Sequence, residues 1–263
     1  PDLMIMDEPD VFLDFENLNA LKNLINSHKK TILVITHNRY LLNHCFNKII
    51  HLENTELQEF DGRFIDYNFS LLQTKIETQE IFIAEEEEIA RVTPVIEAVK
   101  KHFDIPVSID TYKGKVTLAA LQAGADLVND IWGFKHDPEV AAYTAKYNAA
   151  CCLMHNRNEA VYDDFQKDFI RDMQECIAIA KKANVPDDKI MLDPGVGFGK
   201  TYEMNLEIIN HLEIMKQLNY PVLLGTSRKS VIGLTLDLPA DERVEGTLAT
   251  TVIGVMKGCF FVR

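Results

Sequence analysis

The feature that most constrains the fold is a series of six short apolar runs after residue 105, each ending on polar residues. All but the last are followed by a stretch with helical periodicity. Continuous apolar runs are typical of parallel strands that are buried on both faces. Their polar ends are 19 to 38 residues apart, and they comprise Asp110, Asn129, His155, Asp193, Lys229 and Arg263. Each interval suits one strand, one helix and two loops, so the pattern predicts an α/β chain built as a TIM-type (β/α) barrel.

The predicted barrel is incomplete. Six strands are expected near residues 105–110, 126–131, 150–155, 189–193, 221–226 and 258–263. Helices are expected near residues 92–103, 115–124, 138–148, 162–183, 203–218 and 242–257. A closed barrel of this type has eight strands, so we expect an open, C-shaped sheet with six of eight strands and without the first two.

The first 80 residues predict a different, smaller α/β arrangement. Strands are expected at 3–7, 31–36, 48–52 and 56–60, with a turn at Glu53-Asn54, a helix over 16–26 and a short helix near Tyr40. We place the domain boundary between 80 and 86, giving domains 1–80 and 81–263. Pro94 is expected close to the start of a helix, because proline is disfavoured in a helix interior. The glutamates at 85–88 are expected at a solvated helix N-terminus.

Composition excludes some classes of protein. The net charge of −13 argues against a nucleic-acid partner, which usually requires a basic face. No apolar run approaches the roughly 18 to 20 residues that span a bilayer, so no membrane association is expected. The five cysteines lack metal-ligand spacing, and Cys151 and Cys152 lie within an apolar run. Buried thiols and a reducing cytoplasm are therefore expected.

Four of the polar residues at the strand ends together suit one kind of ligand. Asp110, Asn129, Asp193 and Lys229 should converge at one end of the sheet. Two carboxylates and an amide match a flat heterocycle that has N–H donors and a carbonyl, because aspartate accepts hydrogen bonds while asparagine both donates and accepts. The glycines at 195, 197 and 199 permit close approach of the backbone to a ligand. Asp130 and His155 are interpreted as structural.

Five ordered segments resemble dihydropteroate synthase, a pterin-binding (β/α)₈ enzyme of folate synthesis. They are Ser108-Ile-Asp-Thr-Tyr-Lys113, Val128-Asn-Asp-Ile-Trp-Gly133, Met191-Leu-Asp-Pro-Gly-Val-Gly-Phe-Gly-Lys200, Leu224-Gly-Thr-Ser-Arg-Lys-Ser230 and Gly246-Thr-Leu-Ala249. The resemblance covers residues 86–263. It implies condensation of hydroxymethyl-dihydropterin diphosphate with p-aminobenzoate, assisted by Mg²⁺, and leaves a homodimer open.

The resemblance also implies roles for individual residues. Asp110, Asn129, Asp193 and Lys229 would hold the pterin, with Asp110 and Lys229 as the catalytic pair. Three residues, Met154, Phe198 and Gly225, would line its slot, Arg263 would form part of an anion site, and Ser227 and Arg228 would approach p-aminobenzoate. The family's first two strands have no counterpart in this sequence. We therefore expect retained pterin binding but lost catalysis.

Residues 1–80 resemble the C-terminal part of an ATP-binding-cassette ATPase of the ABC-F type. Leu3 to Pro9 is similar to a Walker B segment, which implies Asp7 as the magnesium-side acid and Glu8 as the catalytic carboxylate. Asp14 matches the D-loop and His37 the switch histidine. The 263 residues contain no Gly-x-x-x-x-Gly-Lys-Ser/Thr loop, and 195–201 has one residue too few between its glycines. The alternative function is thus a truncated ATP-binding protein, whether natural fusion or gene-assembly chimera.

Overall fold

A computed structural model describes residues 2–53 and 55–263 of the chain. It divides into two compact units, Pro1–Ile83 and Ala84–Arg263. Nearly all of the buried apolar residues belong to the second unit, where they form one hydrophobic core.

The first unit contains two separate pairs of strands. Strands β1 (Leu3–Asp7) and β2 (Thr31–Ile35) are parallel, and within the described residues they pair only with each other. Helices α1 (Phe15–Ser27) and α2 (Arg39–Cys45) follow them in turn. Strands β3 (Lys48–Glu53) and β4 (Glu56–Asp61) form an antiparallel pair. The predicted turn between them includes Asn54, which lies outside the described residues.

Helix α3 (Phe64–His102) corrects two expectations from the sequence. Pro94 lies inside this helix and not near its start, so the loss of one N–H is tolerated there. Burial of Ile96 in the core offsets part of that cost. The glutamates at 85–88 are likewise in the helix interior, where Glu85 and Glu88 pair with Lys115 and Lys113 at 2.9 and 2.8 Å.

The second unit alternates short strands with helices. Its strands are β5 (Ser108–Asp110), β6 (Leu127–Asp130), β7 (Ala150–Met154), β8 (Ile190–Asp193), β9 (Leu223–Leu224) and β10 (Phe261–Val262). Its further helices are α4 (Gly114–Gln122), α5 (Pro138–Lys146), α6 (Phe165–Lys182), α7 (Tyr202–Asn210), α8 (Ser230–Leu236) and α9 (Val244–Lys257). Three short 3₁₀ segments cover Asp187–Lys189, Leu212–Leu218 and Ala240–Glu242. Helix α8 is not among the elements expected from the sequence.

Local sequence explains where several of the helices begin or end. Asp137 and Asp164 accept backbone N–H groups at the starts of α5 and α6, and Pro138 occupies the first turn of α5. Such side chains satisfy N–H groups that have no partner within the helix. Gly258 ends α9 at a φ of 97°, a conformation that glycine adopts without steric cost.

All the strand pairings in this unit are parallel. Strands β5, β6, β7 and β8 form a four-stranded sheet in that order, with Asp110 opposite Asn129 and Met154 opposite Asp193. A bridge between Leu192 and Val222 leads from β8 to the β9–β10 pair. Because parallel strands end at the same edge, this register brings their polar ends together.

None of the described helices is both long and apolar enough to cross a membrane.

Candidate functional site

The first part of the site joins the first and last strands of the second unit. Asp110, at the end of β5, accepts a 2.8 Å hydrogen bond from Nδ2 of Asn129 through Oδ1. Its other oxygen, Oδ2, accepts a 2.7 Å bond from the guanidinium of Arg263, which follows β10. The two partners hold the carboxylate in one orientation, and the guanidinium places a positive charge beside it.

Asp193 supplies a second, buried carboxylate at the end of β8. Its Oδ1 accepts the N–H of Gly195 at 2.7 Å, and only 6% of the residue is exposed. Burial raises its pKa, against the opposing effects of the Gly195 hydrogen bond and the Lys229 charge. Gly225 leaves space at Oδ2, since a Cβ there would lie 3.6 Å from that oxygen. One carboxylate oxygen is therefore held by the backbone while the other adjoins a residue with no side chain.

Lys229 faces this carboxylate from the loop after β9. Its Nζ donates to the carbonyl of Val196 and lies 4.8 Å from the ring centroid of Phe198. Burial lowers the pKa of Lys229, while the charge of Asp193 opposes that shift. Met154 is also buried, at the end of β7 and opposite Asp193 in the sheet register. The structure thus brings Asp193, Lys229, Met154 and Phe198 together.

The glycine-rich segment 195–199, here called the glycine loop, packs closely on the chain that follows β7. A Cβ at Gly195 would lie 2.0 Å from the carbonyl oxygen of His155, and one at Gly199 would lie 2.6 Å from the backbone of Arg157. Both glycines have positive φ values, 65° and 53°. Any other residue at these two positions would clash as well as adopt an unfavourable backbone.

Ser227 and Arg228 lie in an exposed turn next to Lys229. Arg228 has a φ of 54°, a conformation that costs a non-glycine residue roughly 1–2 kcal/mol. Its N–H donates to Oγ1 of Thr247 at 3.0 Å, and its carbonyl accepts from Nη1 of Arg243 at 3.0 Å. The start of α9 therefore holds both polar groups of this strained residue.

A buried network of hydrogen-bonded polar side chains lies behind the glycine loop. His155 is fully buried, with Nε2 at 3.1 Å from Asp172 Oδ2 and Nδ1 at 2.8 Å from Nζ of Lys200. Arg157 binds both oxygens of Asp172, at 2.6 and 3.0 Å. Burial lowers the pKa of His155 to about 4, in spite of the hydrogen bond to Asp172. A neutral imidazole that donates through Nε2 and accepts through Nδ1 satisfies both contacts.

Asp130, the other residue interpreted as structural, holds a turn. Its carboxylate accepts the N–H groups of Trp132 and Phe134 at 2.7 and 2.9 Å. Because both oxygens are bonded to the backbone, this side chain stabilises the loop after β6.

The described residues do not fit a resident metal. In the part of the chain that the structure describes, no three His, Cys, Asp or Glu residues are grouped so that they could hold a metal ion. Within the site, the Asp110 carboxylate is already bonded to Asn129 and Arg263.

In the first unit, two of the four predicted nucleotide-site residues lie together. His37 Nδ1 is 3.4 Å from Glu8 Oε1, and the His37 side chain is largely exposed while that of Glu8 is about half exposed. Asp7 ends β1 beside Ile35. Asp14 instead caps helix α1, accepting the N–H of Asn17 at 2.9 Å.

Comparison with known proteins identifies the family. A sequence model of the family described as "pterin binding enzyme" matches residues 75–263. This chain belongs to that family of pterin-binding enzymes. The match covers the whole of the site formed by the strand ends, so the predicted resemblance is confirmed for this part of the chain.

Curated relatives agree with this assignment. The dihydropteroate synthase of Clostridium beijerinckii is 63% identical over 182 residues, which are 69% of this chain and 68% of the relative. The dihydropteroate synthase of Bacillus subtilis is 51% identical over 181 residues, 69% of this chain and 64% of the relative. The chain thus spans about two thirds of the length of these proteins.

Solved structures confirm the fold class. A dihydropteroate synthase from Clostridium difficile, crystallised in the presence of pteroic acid, is 35% identical with a TM-score of 0.67. That superposition covers 99% of this chain and 89% of the other. The Yersinia pestis enzyme with a sulfonamide drug is 37% identical with a TM-score of 0.65, over 68% of this chain and 67% of that one. The second unit therefore belongs to the α/β class of TIM-type barrels.

Sequence reasoning missed the residues that support the site from behind. Lys200 and Thr247 lie within two of the five matching segments, yet neither was assigned a role. The sequence does indicate a buried role for Asp168 and Asp172, because both are acidic residues on the same buried face of α6 as Phe169 and Met173. A charge on an apolar helix face implies a buried partner.

Proposed function

We propose that the chain binds a pterin at the ends of its parallel strands, in a site of the kind that serves the dihydropteroate synthase reaction in its relatives; the loss of catalysis expected from the sequence stays a prediction. In that reaction the amine of p-aminobenzoate forms a C–N bond to the methylene carbon of hydroxymethyl-dihydropterin diphosphate. The C–O bond to the diphosphate breaks, its electron pair leaves with pyrophosphate, and the amine loses a proton. The reaction is a group transfer that needs no oxidant or reductant.

The observation that carries the proposal is the pair of differently held carboxylates at one edge of the sheet. Asp193 presents Oδ2 beside Gly225, while Asp110 is fixed by Asn129 and Arg263. Carboxylates that accept hydrogen bonds suit the N–H groups of a pterin ring. This match, together with the pteroic acid named for the Clostridium difficile structure, supports a pterin as the ligand.

Two positively charged side chains, Lys229 and Arg263, suit the departing diphosphate. Lys229 faces Asp193, and Arg263 lies at the open end of the site beside Asp110. Positive groups aimed at a developing negative charge lower the barrier to its departure. Because the described residues do not form a metal site, Mg²⁺ is proposed only as a partner of the diphosphate itself.

The exposed turn at Ser227 and Arg228 is the proposed approach for p-aminobenzoate. A guanidinium binds a carboxylate with two parallel hydrogen bonds, which suits the acid group of that substrate. The turn is adjacent to Lys229 in sequence, so both substrates would meet at the same edge of the sheet. We also propose that β5 to β10 correspond to six of the eight barrel strands, a reading supported by their unbroken parallel order.

Calorimetric titration with pteroic acid tests the proposed ligand. We expect binding by the wild-type chain and a loss of affinity of about tenfold or more in Asp193→Asn, since a hydrogen bond to a charged group contributes about 1.5–3 kcal/mol. The matched control is Asp126→Asn. Asp126 precedes β6 at the other end of the sheet, where it pairs with Lys100 at 2.9 Å. Wild-type protein that is folded yet produces no binding heat would overturn the proposal.

The first unit supports a second candidate through one contact. We propose that residues 1–80 derive from an ATP-binding-cassette ATPase of the ABC-F type, because Glu8 and His37 lie 3.4 Å apart. Without a phosphate-binding loop in the sequence, we expect Mg-ATP to leave the fluorescence and the melting temperature of the chain unchanged. ATP binding that Glu8→Gln or His37→Ala alters would instead show a working nucleotide site.

A further inference from the structure

Lys200 lies directly behind the proposed pterin site and makes three contacts from one ammonium group. Its Nζ is 3.0 Å from the carbonyl oxygen of Gly195, 3.0 Å from that of Phe198 and 2.8 Å from Nδ1 of His155. An ammonium has three N–H donors and no acceptor. All three partners accept, so every donor of Lys200 is used.

These contacts tie the glycine loop both to itself and to the neighbouring strand. Gly195 and Phe198 are the two ends of a turn, since the N–H of Phe198 also donates to the carbonyl of Gly195 at 3.0 Å. His155 follows β7, and its own N–H donates to the carbonyl of Asp193 at 2.9 Å. The same loop supplies the N–H that holds Oδ1 of Asp193. Its conformation therefore sets the positions of both Asp193 and Phe198.

The third acceptor of Lys200, the imidazole of His155, is held in place by residues on its other side. His155 reaches Asp172 on α6 through Nε2, and Arg157 holds both oxygens of that carboxylate. The aromatic ring of Phe169 packs against His155 with centroids 4.6 Å apart. The imidazole therefore cannot rotate freely to follow the loop.

We propose that Lys200 is a positioning residue that locks the glycine loop in its pterin-binding conformation, anchoring it through His155 and Asp172 to α6. Lys200 acts on the ligand through Asp193 and Phe198, to which it is linked by the backbone. A loop held in its bound conformation before the ligand arrives loses less entropy on binding. This inference rests on the proposed pterin-binding function.

The protonation state of Lys200 should determine how firmly it holds the glycine loop. Burial lowers the pKa of Lys200 to about 7, opposed by the charge of Asp193. The other charged groups that face it are Lys229, Asp172 and Lys135. A neutral amine has two N–H donors for three acceptors, so one contact is lost as the pH rises through about 7. Pteroic acid affinity should then decline over that range because of this residue.

A graded pair of substitutions tests the lock. Lys200→Gln retains two N–H donors on a shorter side chain, whereas Lys200→Met retains none. We expect the affinity for pteroic acid to fall in the order wild type, Gln variant, Met variant, with a loss of about tenfold in Lys200→Met. Lys100→Met is the matched control, because Lys100 also donates to a backbone carbonyl, that of Ile105 at 3.3 Å, but at the opposite end of the strands.

Two further measurements separate positioning from a loss of stability. Unfolding of each variant is followed by the fluorescence of Trp132, the single tryptophan of the chain, which lies in the second unit. Binding is then measured from pH 6 to 8.5. We expect the affinity of the wild type to decrease more steeply with pH than that of Lys200→Met, whose profile contains only the titration of the ligand and of the remaining groups.

The outcomes distinguish the two proposals. A wild-type chain that does not bind pteroic acid overturns the pterin function and the lock together. Binding by the wild type with equal affinity and pH dependence in Lys200→Met overturns the lock alone. If Lys200→Met does not fold, the Gln variant decides, because an affinity and pH profile equal to those of the wild type would show that the third donor is unnecessary.

Discussion

At the scale of single residues, the glycine loop is supported by polar groups that are removed from water and individually partnered. His155 is the clearest example, because it is fully buried and both ring nitrogens have partners. Its depressed pKa means that a proton binds more readily to the unfolded chain than to the folded one. Acid should therefore destabilise the folded second unit through this residue.

The stability of the second unit should decline between pH 6.5 and about 4. An unfolded histidine takes up a proton below about 6.5, whereas folded His155 does so only near 4. The contribution of His155 is complete above pH 6.5 and falls by roughly 3 kcal/mol as the pH reaches about 4. Denaturant unfolding followed by Trp132 fluorescence measures it.

The matched variants are His155→Gln and His211→Gln. His211 is half-buried and pairs with Glu213 at 3.6 Å. The slope of stability against pH should be lower in His155→Gln than in His211→Gln. The pKa of Asp172 is also lowered in the folded state, by His155 and Arg157 against the opposing effect of burial, but its effect begins only below pH 3.8. Equal slopes in the two variants between pH 6.5 and 4 would contradict this account.

At the scale of secondary-structure elements, the start of α9 acts as a clamp on the turn after β9. Thr247 accepts the N–H of Arg228, and the guanidinium of Arg243 donates to the carbonyl of Arg228. Gly233 on α8 makes room for that guanidinium, since a Cβ there would lie 2.2 Å from it. The clamp explains how a residue with a φ of 54° is maintained at the proposed p-aminobenzoate approach.

Substitution of Thr247 should weaken this clamp. Thr247→Val removes the acceptor of the Arg228 N–H and should lower the free energy of unfolding by about 1 kcal/mol. Thr247→Ser keeps the hydroxyl and is the control. Chemical denaturation of both variants measures the difference, and a valine variant as stable as the serine variant would show that this hydrogen bond does not support the turn.

Arg228→Gly should have the opposite effect on stability. Glycine adopts a positive φ without steric cost, so we expect the second unit to become more stable by about 1 kcal/mol. The same variant loses the guanidinium and should bind p-aminobenzoate more weakly. Thermal unfolding and a p-aminobenzoate titration measure the two effects, and a loss of stability would mean that the Arg228 side chain supports the turn.

At the scale of the whole molecule, the two units differ in how much they bury. In the described part of the first unit, the buried apolar side chains are Ile25, Leu41 and Ile49, whereas the second unit has one extended core. Apolar burial is the main favourable term in folding, so the first unit should be the less stable of the two.

Thiol labelling can follow the units separately. Cys45 lies in the first unit and is partly exposed, whereas Cys151, Cys152 and Cys176 are buried in the second, where burial raises the pKa of Cys151 and of Cys176 to about 12. Because the thiolate is the reactive form, we expect Cys45 to react with iodoacetamide before these three thiols. The three buried thiols should react only at a higher denaturant concentration, as peptide mass spectrometry will show. Simultaneous labelling of all four would indicate that the units unfold together.

Much of the second unit could be predicted from sequence, because fully buried parallel strands and their polar ends leave a local pattern. The runs ending at Asp110, Asn129 and Asp193 were recognisable from apolar residues that adjoin one another in the chain. Elements that depend on distant packing were not. Pro94 lies in a helix interior and Glu88 pairs with Lys113, 25 residues away, so neither position could be inferred from its neighbours.

The sequence alone determined the fold class, the family and the residues at the strand ends, because periodicity and short motifs are local properties of a chain. Tertiary structure decided which side chains hold those residues in place. Arg263 reaches Asp110 across 153 positions, and Lys200 reaches His155 across 45. Such pairs form only when separate strands meet at one edge of a sheet, and no local pattern records which distant group will be buried beside a given charge.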